Sequence, residues 1–304
     1  MPLTHMRRFR VRHYECDLQG LVNPSNYVRY MQETAFDASA AVGYPLARYA
    51  TMDRYWLVHD TEVEYLGSLR YGDTVEVTTW VVDFKHVRSL RAYELHKAGS
   101  GEMVARGHTD WVFMNTVTGR PAPIPPEMVT AFSPAGVARR EPFSSAPPPS
   151  GAFRMRRRVE WRDLDPGRHV NNATYLSYVE DCGVQAAEVQ GWPVARMAAE
   201  GVAMVTRRQR IEYLQQAVLG DELELATWLT DVEYSSAVRH VAITRTRDGE
   251  LAVRARTLWV WVEAATGRPI PIPAAFVEPT CEHAGEPEVV VQSEGNRVAQ
   301  TIKT

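Results

Sequence analysis

Two aspartates, Asp17 and Asp165, lie in short turns that directly precede predicted helices. A carboxylate in such a position can act as a nucleophile or as a general base. The N-terminus of the following helix offers unpaired backbone N–H groups and a partial positive charge. Together these features suit a reaction in which a carbonyl oxygen becomes an oxyanion. The alternative is a turn aspartate that bonds only its own backbone, but the recurrence of the pattern favours a function.

Both aspartates belong to a repeat with a constant offset of 165 − 17 = 148 residues. The sequence ECDLQGLVNPSNY at 15–27 corresponds to DLDPGRHVNNATY at 163–175. The match continues without a gap to TGRPAPIP at 118–125 and TGRPIPIP at 266–273. A period of this length indicates two fused copies of one domain rather than a solenoid of short repeats.

The repeat divides the chain into four predicted segments. The first copy spans residues 1–132 and the second spans residues 154–278. Residues 133–153 are rich in Pro, Ser, Ala and Gly, so we expect a semi-rigid linker that buries little apolar surface. Residues 279–304 are polar and weakly patterned, and we expect a loose tail there.

The composition narrows the class of protein. Hydrophobic residues make up 45% of the chain and charged residues 23%, values typical of a globular protein. The net charge of −3 gives no support for a nucleic-acid partner. We find no apolar stretch long enough for a membrane span and no apolar core of a secretory signal near the N-terminus. The cysteines (Cys16, Cys182 and Cys281) are odd in number and lack metal-type spacing, which indicates a reducing, cytoplasmic setting and no metal site.

The order of predicted elements is the same in both copies. A short strand comes first, at 9–15 and 155–161, followed by the aspartate turn and a long helix, at about 24–42 in the first copy. Segments rich in Val, Thr, Trp and Tyr follow at 56–65, 74–82, 89–96 and 102–115, with equivalents 148 residues later. We therefore predict an α+β protein of two fused hotdog domains, each an antiparallel sheet wrapped around one long central helix. Pairing of the two sheets would cover an exposed edge and form an intramolecular pseudo-dimer; further homo-oligomerisation stays open.

The two turns resemble those of hotdog thioesterases. The first is similar to the 4-hydroxybenzoyl-CoA-thioesterase-like branch through Asp17, Gly20 and Val22. The second is similar to acyl-ACP thioesterases of plants and bacteria, and the residues that carry this similarity are Asp165, His169, Val170, Asn171, Asn172 and Tyr175. The resemblance covers about residues 7–132 and 155–278. It implies hydrolysis of an acyl thioester, with acyl-CoA or acyl carrier protein as the partner. It implies no cofactor except the coenzyme A or phosphopantetheine of the substrate.

The resemblance also implies roles for individual residues. Asp17 or Asp165 would attack the thioester or activate water, and the amide at the start of the central helix would polarise the carbonyl. The predicted substrate-binding and oxyanion residues are Asn172, Asn171, Asn23, Tyr175 and Tyr27. Asn23 and Asn171 also stand where helix N-caps belong, and capping is the favoured interpretation of both.

The two copies differ in ways that favour the second turn. The helix of the first copy starts at Pro24, which has no N–H to donate, whereas Asn172 retains this donor. His169, a residue that could orient water or the carboxylate, corresponds to Leu21 in the first copy. Gly167 departs from the plant pattern, in which an asparagine follows two residues after the aspartate. We therefore predict a catalytic group of Asp165 and His169, with Asp17 as the second candidate.

Two rival functions fit the same fold. One is a non-catalytic acyl-thioester-binding protein, and the other is a hotdog dehydratase or hydratase, for which we find no suitably placed His/Asp pair. Acidic residues on the central helices (Glu33, Glu180 and Asp181) are expected to be surface carboxylates. Arginines cluster at 7–10, 156–158 and 207–210, where a solvated strand face is favoured over a phosphate contact.

Overall fold

The computed structural model describes residues 2–136 and 141–277. The first copy contains five strands and three α-helices: β1 (Thr4–Arg10), α1 (Pro24–Ala41), α2 (Leu46–Thr51), β2 (Arg54–Tyr65), β3 (Thr74–Lys85), β4 (Arg88–Lys97), β5 (Met103–Asn115) and α3 (Pro126–Phe132). The second copy repeats this order: β6 (Phe153–Arg158), α4 (Asn172–Val189), α5 (Val194–Ala199), β7 (Val202–Tyr213), β8 (Glu222–Thr230), β9 (Ser236–Arg245), β10 (Leu251–Glu263) and α6 (Ala274–Val277). None of the helices in the described part of the chain is long and apolar enough to cross a membrane.

All the strands form one ten-stranded antiparallel sheet in the order β1-β3-β4-β5-β2-β7-β10-β9-β8-β6. The two copies meet where β2 pairs with β7, so each covers the edge strand of the other. The long helices α1 and α4 pack against the sheet and contact each other. The predicted architecture of two fused hotdog domains is therefore confirmed.

The pairing of β2 with β7 joins unlike charges at equivalent positions. Glu62 lies opposite Arg210, its own counterpart in the repeat. Arg210 donates to the buried Asp60 at 2.9 Å, and Arg208 forms a further ion pair with Glu62. Two identical copies would place like charges together here. The divergence of the repeat therefore favours pairing of the first copy with the second.

Each long helix begins at the residue that follows its N-cap asparagine. Asn23 accepts a hydrogen bond from the Ser25 N–H, and Pro24 occupies the first helical position, where a missing N–H costs nothing. Asn171 caps α4 in the same way, accepting from the Ala173 N–H at 2.9 Å. The capping interpretation of both asparagines agrees with this geometry.

The first strand of each copy ends earlier than the sequence pattern indicates. β1 spans Thr4–Arg10 and is followed by a 3-10 turn at His13–Glu15. The carboxylate of Glu15 accepts hydrogen bonds from the Arg12 N–H at 2.7 Å and the Tyr30 hydroxyl at 2.6 Å. This buried acceptor turns the chain toward the aspartate loop. Alternation of side chains along a strand does not reveal such a long-range bond.

The segment between the copies buries more than its composition predicts. Phe143 is buried, and the guanidinium groups of Arg210, Arg254 and Arg256 lie over its ring. The Ser145 hydroxyl lies 3.2 Å from His240 Nδ1. This part of the predicted linker therefore packs on the second copy. Residues 137–140 of the linker and the predicted tail at 279–304 lie outside the described residues.

Candidate active site

The carboxylate of Asp165 is held in its turn while remaining accessible. One oxygen, Oδ1, accepts from the Gly167 N–H at 2.8 Å, and Oδ2 accepts from the Asn171 side-chain amide at 3.0 Å. The backbone N–H of Asp165 donates to the His169 carbonyl at 3.2 Å, which closes the loop. Asp165 is partly exposed. These contacts fix the direction of the carboxylate and leave it room to meet a ligand.

His169 folds back over the same turn because residue 167 is a glycine. A Cβ on Gly167 would stand 2.8 Å from His169 Nε2 and 2.9 Å from Asp165 Oδ1. Real Cβ atoms do not approach other atoms so closely, so a side chain here would displace the imidazole or the carboxylate. Gly167, which stands where the plant pattern has an asparagine, therefore leaves room for both the Asp165 carboxylate and the His169 imidazole.

The N-terminus of α4 presents an unused donor beside this turn. The side chain of Asn171 satisfies the Ala173 N–H, and the Asn171 carbonyl accepts from Thr174. The Asn172 N–H donates to no acceptor within the described part of the chain. Asn172 lines a cavity together with Asp165 and His169. Pro24 stands at this position in the first copy, so the predicted difference between the two helix starts is one free N–H, at the start of α4.

The first copy contributes a side chain that the sequence analysis missed. Gln32, on α1, lies with its Oε1 3.5 Å from the Asn171 side-chain amide, and it lines the same cavities as Asp165. The site therefore combines residues of both copies, as expected for a hotdog pair. The repeat could have indicated this position, because Gln32 corresponds to Glu180 on the central helix of the second copy.

Two cavities meet at Asp165 and His169. The main cavity, of about 550 Å³, extends into the first copy between α1, α2 and the sheet. The smaller one, of about 110 Å³, runs along the start of α4 toward Gln215 and Gln216. The residues common to both are Gln32, Phe36, Trp56, Trp111, Asp165 and His169. An apolar chain in the main cavity would thus place its end beside the carboxylate, next to the smaller cavity that Asn172 lines.

Asp17 lies in a different environment from its counterpart. Its Oδ1 accepts from the backbone N–H groups of Gln19 at 2.8 Å and Leu21 at 3.0 Å, and the residue is exposed. Neither of the two cavities is lined by Asp17. The side-chain amide of Asn23 bonds Glu180 of the second copy instead of Asp17. Asp17 thus has the contacts of a turn residue that bonds its own backbone.

The tryptophans at one pair of equivalent positions pack differently in the two copies. Trp259 corresponds to Trp111, and its ring end would lie 2.5 Å from a Cβ on Gly183. The equivalent residue in the first copy is Ala35, which carries the methyl group that Gly183 lacks. Trp111 packs instead beside Phe36, at a ring-centroid distance of 6.4 Å, and lines the main cavity. A single methyl difference thus accompanies the asymmetry between the copies.

Comparisons with known proteins agree with this architecture. Residues 2–132 match the model of the acyl-ACP thioesterase N-terminal domain, and residues 159–279 match that of the thioesterase-like superfamily. Each copy of the chain therefore matches a model of thioesterase-like proteins. A chloroplastic acyl-[acyl-carrier-protein] hydrolase of Cuphea viscosissima is 26% identical over 277 residues, which are 84% of this chain and 63% of that protein. The chain thus spans less than two thirds of this relative's length.

Solved structures share the fold of this hotdog protein. A Lactobacillus plantarum protein assigned as an oleoyl thioesterase superposes with a TM-score of 0.74 at 19% identity, covering 89% of this chain and 98% of that one. The 12:0-ACP thioesterase of Umbellularia californica superposes with a TM-score of 0.68 at 21% identity, covering 84% and 96%. At these identities the likeness establishes the tandem fold alone.

The remaining predicted site residues of this hotdog protein lie deeper than the turn. Tyr27 is buried and packs edge-on against Tyr65, with ring centroids 5.2 Å apart. Tyr175 is also buried but lines the smaller cavity, next to Tyr213. Burial raises the pKa of the Tyr27 and Tyr175 hydroxyls, so both side chains stay neutral. No cluster of metal-ligating side chains occurs within residues 2–136 and 141–277.

The prediction of surface carboxylates on the central helices is correct for two residues and wrong for the third. Glu33 and Asp181 form exposed ion pairs with Arg7 and Arg157. Glu180 instead points toward the start of α1, where Asn23 bonds its carboxylate. Burial raises the pKa of Glu180 to about 7, with smaller contributions from the charges of Asp17 and Asp181. The side chain faces the other copy, which helical spacing within one copy cannot show.

We expect Glu180→Gln to stabilise the protein only at neutral and alkaline pH. The folded pKa of Glu180 lies above that of an unfolded glutamate, so the folded state binds the extra proton between about pH 4.3 and 7. The wild-type protein therefore loses stability as the pH rises through this window. The variant should raise the free energy of unfolding by roughly 2 kcal/mol at about pH 8 and by almost nothing near pH 4.5. Urea unfolding at both values measures this, and an equal gain at both would contradict the titration argument.

We expect Gly183→Ala to destabilise the protein, although alanine is the better helix former. The added methyl would overlap the ring of Trp259, and overpacking of this kind costs about 1–3 kcal/mol. Thermal and urea unfolding measure the change. Adding Trp259→Phe to the alanine variant should recover part of the loss, because the smaller ring leaves room for the methyl. A neutral or stabilising effect of Gly183→Ala alone would show that Trp259 has free space to move.

Proposed function

We propose that this hotdog protein hydrolyses an acyl thioester to a free carboxylic acid and a thiol. One observation carries the proposal: the Asp165 carboxylate lies where a cavity of about 550 Å³ meets a second, smaller one, and the smaller one is lined by Asn172, whose N–H is unused. The main cavity has the size of a small-molecule site. It would hold the acyl chain, while the smaller cavity would hold the thiol part of the substrate.

The proposed mechanism assigns a role to Asn172, Asp165 and His169. The Asn172 N–H, at the positive end of α4, would donate to the thioester oxygen and stabilise the oxyanion. The carboxylate of Asp165 either takes a proton from water, which adds to the carbonyl carbon, or attacks that carbon itself to give an anhydride that water then cleaves. In both routes the C–S bond breaks and the sulfur leaves as a thiol after gaining a proton. His169, beside the carboxylate, would orient water.

Acyl carrier protein is the thiol carrier that the comparisons favour. The Cuphea viscosissima relative is named as a hydrolase of acyl carrier protein thioesters, and coenzyme A shares the same pantetheine arm.

We propose a cytoplasmic location from the cysteine usage. The arginines of β1 and β6 include several that are already paired, such as Arg8 with Glu76 and Arg154 with Glu224. We therefore assign the phosphate contact to neither strand.

The proposal is tested by free-thiol release from acyl carrier protein and coenzyme A thioesters that carry the same acyl groups. Short, long and aromatic acyl groups should be included, since the chain length is open. We expect release above the uncatalysed rate with at least one series, and loss of that release in the Asp17→Asn, Asp165→Asn double variant. Binding of the thioesters without release would favour an acyl-binding protein instead. Light scattering of the same sample measures further homo-oligomerisation.

A further inference from the structure

A buried arginine lies in the wall of the main cavity. Arg91, on β4, is only 6% exposed and lines this cavity but not the smaller one. It therefore lies away from the junction at Asp165. Its neighbour on the same face of the strand, Ser89, is also buried and also lines the cavity. Arg91 and Ser89 thus give this part of the cavity wall a polar, positively charged region.

Arg91 has no carboxylate partner within residues 2–136 and 141–277. Its Nη1 makes one long hydrogen bond, of 3.4 Å, to the Thr79 hydroxyl, and the ring of Phe132 lies 5.5 Å from the guanidinium carbon. Burial without a counter-charge lowers the pKa of Arg91. A guanidinium carries five N–H donors, so most of its hydrogen-bonding capacity is unused. An unpaired charge in such a place is costly, and an acceptor supplied by a ligand would offset that cost.

The second copy holds the equivalent arginine in a different environment. Arg239 is the counterpart of Arg91 and bonds the equivalent hydroxyl of Thr227. Its guanidinium lies over the indole of Trp259 at 4.7 Å. Arg239 lines neither of the two cavities. The Nε and Nη2 donors of Arg239 also lack a hydrogen-bond partner, so an unpaired arginine is common to both copies. What distinguishes Arg91 is that it lines the main cavity, where a ligand could reach it.

We propose that Arg91 and Ser89 form a subsite for a carboxylate at the far end of the acyl chain. This inference rests on the proposed function and narrows its substrate class to half-thioesters of dicarboxylic acids. The carboxylate would supply the missing counter-charge and accept paired hydrogen bonds from the guanidinium. Its methylene chain would lie along Phe36, Trp56 and Trp111, which lead back to the thioester at Asp165.

The test separates binding from hydrolysis. The binding probes are non-hydrolysable S-alkyl coenzyme A thioethers in matched pairs, one with a terminal methyl and one with a terminal carboxylate, at several chain lengths. Isothermal titration calorimetry should show at least about tenfold tighter binding of the carboxylate member at one length, the range expected for hydrogen bonds between charged groups. Turnover of the matched thioesters, octanoyl against suberoyl and hexanoyl against adipoyl, is measured separately. Absence of turnover with retained binding preference would refute the proposed function alone.

Arg91→Met and Arg239→Met are the matched variants. Both replace a buried guanidinium by an apolar chain of similar length, so any general effect on folding should appear in both. The preference for the terminal carboxylate should disappear in Arg91→Met and persist in Arg239→Met, and Arg91→Lys should retain part of it. Equal binding of the two probe series by the wild-type protein would overturn the proposal without any variant. Loss of the preference in Arg239→Met alone would also overturn it.

Discussion

Asp165→Asn is expected to lower kcat/KM for thioester hydrolysis by roughly a thousandfold or more. Asparagine has nearly the same shape and can still accept the hydrogen bond from the Gly167 N–H, so the turn should persist. It cannot take a proton from water, and it is a poor nucleophile. The loss should therefore appear in kcat rather than in KM. Thiol release at saturating and limiting substrate separates the two parameters.

Asp17→Asn is the matched control for this prediction. The first aspartate is exposed, accepts two hydrogen bonds from its own turn and lines neither cavity at the proposed site. We expect a change in kcat/KM of less than about twofold, as for surface substitutions without special contacts. Equal losses in the two single variants would mean that both turns contribute to catalysis, and the asymmetric site would be wrong.

Asn172→Pro is expected to lower kcat by about a hundredfold to a thousandfold, the usual cost of losing one oxyanion donor. Proline removes the single N–H that would contact the oxyanion and leaves the carboxylate in place. The backbone can accept this residue, because Asn171 has φ −61° and ψ 140°, almost the same as Asn23 before Pro24 at φ −61° and ψ 136°. The variant thus copies the natural start of α1 onto α4. Single-turnover kinetics with a fixed acyl group measures the change in the chemical step.

Asn172→Ala is the control that keeps the N–H and removes only the side chain. We expect it to retain most of the activity, since the proposed donor is the backbone amide. Thermal unfolding of both variants checks that α4 is intact. If the alanine variant lost as much activity as the proline variant, the Asn172 side chain would be the acting group. The oxyanion assignment would then fail.

The duplication permits the two sites to diverge because each site is built from both copies. Asp165 and the free N–H come from the second copy, whereas Gln32 and the main cavity come from the first. At the equivalent place in the other half of the pair, Asn23 of the first copy contacts Glu180 of the second. The ring of Trp259 lies beside α4. A homodimer would have to keep two equal sites. In the fused chain the two sites are free to differ.

Much of the fold follows from the sequence for identifiable reasons. The ungapped offset of 148 residues established two copies, and the strand and helix patterns established their element order. The helix starts were predictable because capping by Asn23 and Asn171 is a local interaction. The end of β1 was not, because Glu15 turns the chain by bonding Tyr30, fifteen residues away.

The sequence by itself determined the candidate site in the second turn: the carboxylate of Asp165, the histidine beside it and the amide that Pro24 lacks in the first copy. These are properties of residue type and local spacing. Only the tertiary structure decided which side chains face them. Gln32 and Glu180 contact the other copy, and Arg91 lines the main cavity. Helical or strand periodicity within one copy cannot distinguish an outer face from one that meets a partner. Pairing of β2 with β7 brings the copies together. Trp111 lines the main cavity, whereas the ring of its counterpart Trp259 packs against Gly183 of α4.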